Sequence, residues 1–204
     1  MAGRQPALDA VMYRLYHAPG SSSLAVHIAL HEVGAPFKGH TIDFGHREND
    51  PPELRALNPE GKVPTLVIDG RPLTEVAAIL YYLARTYPAA GLFPFGDVEA
   101  EAQVVSWMSF IASTLHPARQ RGADHAERVW RIAEQKLGGR EWAVGGYSIA
   151  DIHLFRLFWR FRGAIGADAV TFPGLTAHHD RVMARPAVQA TFKAEAALGY
   201  TLPV

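Results

Sequence analysis

Residues 58–85 read NPEGKVPTLVIDGRPLTEVAAILYYLAR, and the fold turns on how this stretch is parsed. Val63 to Ile68 is a short apolar run entered through Pro64, with the length and β-branched content of a buried strand. Asp69-Gly70 is a preferred dipeptide for a two-residue hairpin, so Pro72 to Thr74 is expected to return antiparallel. Val76 to Arg85 then has helix character and stops before Tyr87-Pro88. The stretch is therefore a ββα unit.

Upstream, residues 12–16 (MYRLY) alternate as a strand, and Pro19-Gly20 turns the chain. Ser21 to Ser23 supply N-cap chemistry for an amphipathic helix from Leu24 to Val33, with Leu24, Ile28 and Leu30 inward and Gly34 as its stop. Phe37 to Ile42 alternates again, so strand–helix–strand implies a parallel pair with a right-handed crossover. Residues 45–61 are polar and turn-rich, with room for a short helix around Glu53 to Leu57. The order βαβ-ββα fills one α/β domain over residues 12–88, after a flexible lead-in (1–11).

AAGLFPFG (89–96) reads as a linker, and beyond it, over 97–204, the pattern is all-helical. Asp97 can cap a helix running to about Thr114. Asp124-x-x-Glu127 has capping-box spacing ahead of a helix stopped by Gly138-Gly139, and Ser148-x-x-Asp151 is a looser version of the same device. Tyr147 and Ile152 stand where a hydrophobic staple would place them. The helix from Ile149 to Arg162 is apolar almost all round, which predicts a central position. Pro173 and Pro186 open two more helices.

Composition narrows function by exclusion. Twenty Lys+Arg balance twenty Asp+Glu, and the isoelectric point lies near 7.2, so no basic field exists for nucleic acid or an anionic membrane. There is no cysteine, hence no disulfide, thiolate metal site or cysteine nucleophile. Any sulfur chemistry must enter with a ligand. No apolar run reaches the roughly 18–20 residues that span a bilayer. MAGRQPALDA (1–10) lacks a signal-peptide core, so a cytoplasmic protein is expected. His27 and His31 have a metal-capable spacing without an evident third ligand, and are expected to be surface or half-buried histidines, with no metal site. His178-His179 are given no role.

These segments, in this order, resemble the glutathione S-transferase family over nearly the whole chain from Met12 to about Leu198. Tyr16-His17-Ala18-Pro19-Gly20-Ser21 resembles its first strand and turn, and Asn58 to Leu66 its NPxGxVPxL segment, whose proline is cis. Leu73-Thr74-Glu75 with Ala78 to Leu83 resembles the segment that binds the γ-glutamyl end of glutathione. Ser148-Ile149-Ala150-Asp151 and Arg185-Pro186-Ala187-Val188 resemble motifs of the helical domain. The resemblance implies a thioredoxin-like N-terminal domain, an all-α C-terminal domain, glutathione as co-substrate with no metal, a small hydrophobic electrophile as second substrate, and a homodimer.

It also implies site residues. Val63 and Pro64 would offer a backbone edge to the extended tripeptide, Glu75 would meet its ammonium, and Lys62 and Arg47 its glycyl carboxylate. The plainer explanations are a helix first-turn acid for Glu75 and solvated loop charge for Lys62 and Arg47. Val76 stands where the family often has a hydroxyl, so one ligand hydrogen bond, worth about 0.5–1.5 kcal/mol, is expected to be missing. The closest resemblance is to the bacterial beta class, whose active-site cysteine falls on Ser22. Other classes activate the thiol with a serine near this turn. Ser22 ranks ahead of Ser21, with Ser23 third, and at least one of the three is expected only to cap. His116 resembles a beta-class histidine that reaches the site, with a helix-end histidine as the equal alternative. His17, Trp107, Phe110, Ile111, Phe155 and Trp159 are candidates to wall the co-substrate pocket, with core packing as the competing explanation; Tyr16, beside the same turn, reads more readily as core. Conjugation is the expected activity; glutathione-dependent peroxide reduction or isomerisation, or a non-catalytic protein-interaction module, are the alternatives.

Overall fold

The computed structural model describes residues 12–46, 48 and 50–199. The 1–11 lead-in and Arg47 lie outside the described residues.

Strands β1 (Tyr13–His17), β2 (Phe37–Thr41), β3 (Thr65–Ile68) and β4 (Arg71–Thr74) form one sheet in the order β2-β1-β3-β4. β1 and β2 are parallel around helix α1 (Ser23–Glu32), while β3 runs antiparallel to both β1 and β4. The β3–β4 turn is the expected one. Ile68 pairs with Arg71 across Asp69 and Gly70, whose φ values of 48° and 82° are the two left-handed positions that Asp-Gly tolerates. Helix α2 (Pro52–Leu57) precedes β3, and α3 (Val76–Thr86) follows β4 directly.

The period-2 pattern sorts the strands onto two faces. Tyr13, Leu15, Leu66 and Ile68 join the main core under the helices, whereas Tyr16 and Val67 join a smaller cluster with Leu54 and Val63. Helix α1 is not amphipathic as expected. Ser23 to Leu30 are all buried, because α3, α6 and α8 pack around it. His27 is accordingly a buried residue, 3% exposed, rather than a surface or half-buried one.

The remaining helices are α4 (Val98–Phe110), α5 (Ala123–Leu137), α6 (Ile149–Phe161), α7 (Pro173–Met183) and α8 (Pro186–Ala196). Asp97 caps α4 by accepting from the Ala100 N–H at 3.0 Å. After Phe110 the chain widens into a π-turn (Ile111–Leu115) and then tightens into a 3₁₀ segment (His116–Arg121), where a plain α-helix to Thr114 was expected. The Asp124–Glu127 capping box is not formed. Gly122, at φ 97°, is the N-cap of α5, two residues earlier than Asp124, and Glu127 pairs instead with Arg131 at 2.6 Å. The Ser148–Asp151 box is formed, with the Ser148 N–H donating to Asp151 Oδ2 at 2.8 Å. Asp151 also accepts from the Ala143 N–H at 2.7 Å and lies 2.9 Å from His178 Nε2, so His178 has a structural role that its sequence context concealed. Residues Ile149 to Trp159 of α6 are all buried, as an all-round apolar helix requires. A single main cluster runs from Tyr13 to Phe192 and joins the sheet to the helices. Among the described residues no helix is long and apolar enough to cross a membrane.

Candidate active site

The turn after β1 uses its three serines differently. Ser23 is buried; its Oγ donates to the Ala18 carbonyl at 3.0 Å and accepts the Ala18 N–H at 3.1 Å. A hydroxyl has one proton, so in the 2.8 Å Ser21–Ser23 contact Ser21 is the donor. Ser21 Oγ also accepts the Ser23 N–H at 3.2 Å. Ser21 and Ser23 are thus committed to holding the turn. Ser22 stands at the N-cap of α1 without capping it, and its Oγ donates to the Val63 carbonyl at 3.1 Å.

The turn is fixed from behind by α8. Glu195, fully buried, accepts the Gly20 N–H on Oε2 at 2.8 Å and lies 3.0 Å from His27 Nδ1 on Oε1. Among the described residues, His17, His27 and Glu195 have ligand atoms within 4.8 Å of one another. Both Glu195 oxygens are already engaged, which suits a structural clamp better than a cation site. His17 is buried beside His27, at 5.1 Å between ring centroids, and faces no cavity of the site.

Two cavities of about 420 Å³ each meet at Ser22, His116 and Arg156. The first is lined by Ser22, Lys62, Val63, Pro64, Glu75, Val76 and His116, together with Asn58, Glu60, His153 and Gln120 among others. Val63-Pro64 is a cis peptide. The loop before it is pinned by buried Asn58, whose Nδ2 donates to the Lys62 carbonyl at 3.0 Å and to Thr65 Oγ1 at 3.1 Å. Lys62 is exposed and rests 3.1 Å from Glu60, so it is free to exchange that carboxylate for a ligand's. Glu75 precedes α3 with φ 67°, a left-handed conformation that a non-glycine residue holds at a cost of about 1–3 kcal/mol. It stands beside the unpaired N–H groups that open an eleven-residue helix. A backbone edge, a helix N-terminus, an acid and a mobile lysine suit an extended zwitterion with a carboxylate at either end.

The second cavity is lined by the Pro19–Ser22 turn, Phe44, His116, Arg156, Arg160 and Phe161, with no carboxylate among its described lining residues. Burial, and secondarily the Arg156 charge, lower the pKa of His116, which keeps the ring neutral at pH 7. His153, fully enclosed, is held well below the ordinary histidine range for the same two reasons in the same order.

Several residues expected to wall the co-substrate pocket belong to the core instead. Trp107, Ile111 and Phe155 are buried in the main cluster, and the Trp107 indole N–H donates to the Ala143 carbonyl at 3.1 Å. Phe110 packs on Trp107, and Trp159 packs on Phe192 at 5.2 Å between centroids. None of the five borders either cavity. Apolar helix residues satisfy the core first, and it is the polar residues of α6 that reach the site. Arg156, His153 and Arg160 were missed. Their signal was two arginines and a histidine inside an otherwise apolar run, IHLFRLFWR (152–160).

Comparison with known proteins follows the same outline. Residues 11–85 match the N-terminal domain and residues 110–195 the C-terminal domain of glutathione S-transferases. A glutathione S-transferase of Xanthomonas campestris pv. campestris, GST-4.5, is 33% identical over an alignment covering 89% of this chain and 98% of that protein. The solved structure of a sphingomonad glutathione S-transferase complexed with glutathione superposes with a TM-score of 0.81 at 34% identity, covering 90% of this chain and 98% of that one. A bacterial beta-class glutathione S-transferase of Sphingomonas chungbukensis gives a TM-score of 0.78 at 34% identity, covering 89% of this chain and 98% of that one.

Proposed function

The chain belongs to the glutathione S-transferase family, and from that premise we propose that it binds glutathione along the first cavity and uses Ser22 to hold the thiolate for attack on an electrophile in the second. The observation that carries the reading is the position of Ser22: a hydroxyl at the N-terminus of α1, in the wall that both cavities share, 3.1 Å from the Val63 carbonyl.

The chemistry follows from what a thiol needs. A free thiol has a pKa of about 8.5, and lowering it by two units takes about 2.7 kcal/mol. An O–H donated to the sulfur supplies about 1.5–3 kcal/mol and a helix N-terminus about 0.3–1 kcal/mol. Ser22 can release the Val63 carbonyl and turn its proton to the sulfur, while Ser21 and Ser23 are spent on the turn. The freed backbone of Val63 then pairs with the tripeptide by strand addition. Lys62 takes the glycyl carboxylate; Glu75 and the α3 N-terminus take the ammonium and α-carboxylate. The thiolate forms the new bond to the electrophilic atom, and the displaced group leaves with its electron pair. Because no protein cysteine exists, no mixed disulfide with the enzyme lies on the path. His116, neutral and in the shared wall, borders the reacting atoms. In the cell the protein is expected in the cytoplasm as a homodimer.

Calorimetry with glutathione, followed by conjugation of chlorodinitrobenzene, tests the reading. Binding with turnover supports it, and no binding at millimolar glutathione overturns it. Binding with no turnover across electrophiles and peroxides would leave a non-catalytic binding module.

A further inference from the structure

Arg156 is the least expected residue of the site. It sits in the middle of α6, 2% exposed, and neither its Nε nor its Nη2 has a hydrogen-bond partner among the described residues. It borders both cavities, and the charges nearest to it are of its own sign or neutral. Arg160 is on the same helix and lines the second cavity, and His116 and His153 stand close by as neutral rings. Burial, then Arg160, depress the guanidinium to about 9, which still leaves it charged at pH 7. A buried cation without a counter-charge is costly, and a protein keeps one where a ligand completes it. The carboxylates of the site, Glu60 and Glu75, line only the first cavity. The second cavity therefore has no negative group among its described lining residues and has a fork-shaped donor facing it.

We propose that the electrophilic co-substrate is an anion, carrying a carboxylate or sulfonate that pairs with Arg156 while its reactive carbon lies against the sulfur at Ser22. The proposal rests on the reading of the first cavity as the glutathione site. Arg156 is then a specificity-determining residue, and the apolar contribution comes from Phe44 and Phe161. The reaction is balanced by the two substrates alone. With an aryl chloride, the thiolate forms the C–S bond, the C–Cl bond breaks, and chloride departs with the electron pair.

The test uses para-chloro-meta-nitrobenzoate and its methyl ester. Each kcat/KM is divided by that substrate's own uncatalysed rate constant, because the ester group activates the ring toward thiolate more strongly than the carboxylate does. With rates corrected in this way, the unmutated protein is expected to favour the acid by at least about tenfold in kcat/KM, mainly through KM. Benzoate is expected to compete with the electrophile and not with glutathione. Arg156→Met is expected to abolish the preference, and Arg156→Lys to retain part of it, each kcat/KM being taken at glutathione concentrations that saturate that variant. Equal use of acid and ester by the unmutated protein overturns the proposal, even if the Met variant does not fold. An equal loss of kcat for both substrates in Arg156→Met, with a raised pKa of the bound thiol, also overturns it and assigns the guanidinium to the thiolate. If glutathione itself does not bind, the fault lies in the underlying reading, which a separate titration of benzoate into the ligand-free protein distinguishes: benzoate bound through Arg156 without glutathione keeps the anion site, and no binding removes it.

Discussion

At the residue scale, three adjacent serines divide between support and chemistry. Ser23 ties both backbone groups of Ala18 and is fully buried, so Ser23→Ala leaves the buried Ala18 N–H unpaired, while the Ala18 carbonyl keeps the Ser21 N–H at 3.1 Å. The expected loss is about 1–3 kcal/mol in a urea titration, with the thiol chemistry intact in the folded fraction. Ser22→Ala should act in the opposite way. Stability changes by less than about 1 kcal/mol, while the bound thiol's pKa, read from ultraviolet thiolate absorbance, rises by about 1–2 units. Turnover then falls about 10–100-fold at pH 7 and recovers as the pH is raised past the thiol's own pKa. An unchanged thiol titration would return the role to another group. Val76 gives a gain-of-function counterpart. It lines the first cavity at the mouth of α3 with no polar side-chain atom. Val76→Ser should tighten glutathione by up to about tenfold in calorimetry, provided the added hydroxyl meets the ligand carboxylate.

At the element scale, helices are placed by their caps and by the buried polar groups they carry. Asp151 is fully buried and serves the Ser148 N–H, the Ser148 hydroxyl, the Ala143 N–H and His178 at once. Asp151→Ala strands several of these, and a loss of about 3–5 kcal/mol is expected in urea unfolding. A loss under about 1 kcal/mol would mean that water or a shift of α6 replaces the carboxylate. Whether an element could be read from the sequence depended on how local its cause was. The Asp69-Gly70 hairpin, the Ser148 box and the prolines opening α7 and α8 are decided within a few residues, and the chain displays them directly. The α5 start was misplaced because Gly122 and Asp124 both suit a helix entry and only the backbone path chooses between them. The site divides in the same way. Val63, Glu75 and the serine turn are contiguous motifs, whereas the pocket wall depends on which face of a wholly buried helix meets a void. That face carries Arg156 and His153, and the apolar candidates Trp107, Ile111 and Phe155 are consumed by packing.

At the scale of the whole molecule, the sheet and the helices share one core, and the contacts that join them are polar as well as apolar. Arg185, the N-cap residue of α8, grips Glu32 at the end of α1 with two bonds of 2.6 and 2.9 Å, the Tyr147 hydroxyl donates to the same carboxylate at 2.9 Å, and the Glu195 clamp lies at the other end of α1. This construction encloses histidines in neutral form. His17 is lowered to about 4 by burial and then by His27, with His40 adding to the shift and Glu195 opposing it. His153 is held well below the ordinary histidine range by burial, then by Arg156 and His116. Both groups bind a proton near pH 6.5 in the unfolded chain and resist it in the folded one. Their stabilisation is therefore complete above about pH 6.5 and drains away as the pH falls toward the folded values, because the unfolded state takes up more protons across that window. His17 should remove about 2 kcal/mol by pH 5, a large share of the roughly 5–15 kcal/mol that holds a domain folded, and His153 acts in the same direction. Urea midpoints at about pH 7.5 and pH 5 should thus differ clearly, with the lower stability on the acid side. His17→Gln should flatten the dependence, whatever its own stability, since it deletes one of the protons taken up on unfolding. Midpoints that coincide at the two pH values would show that these rings are protonated in place, and that the α1–α8 contact opens to admit the charge.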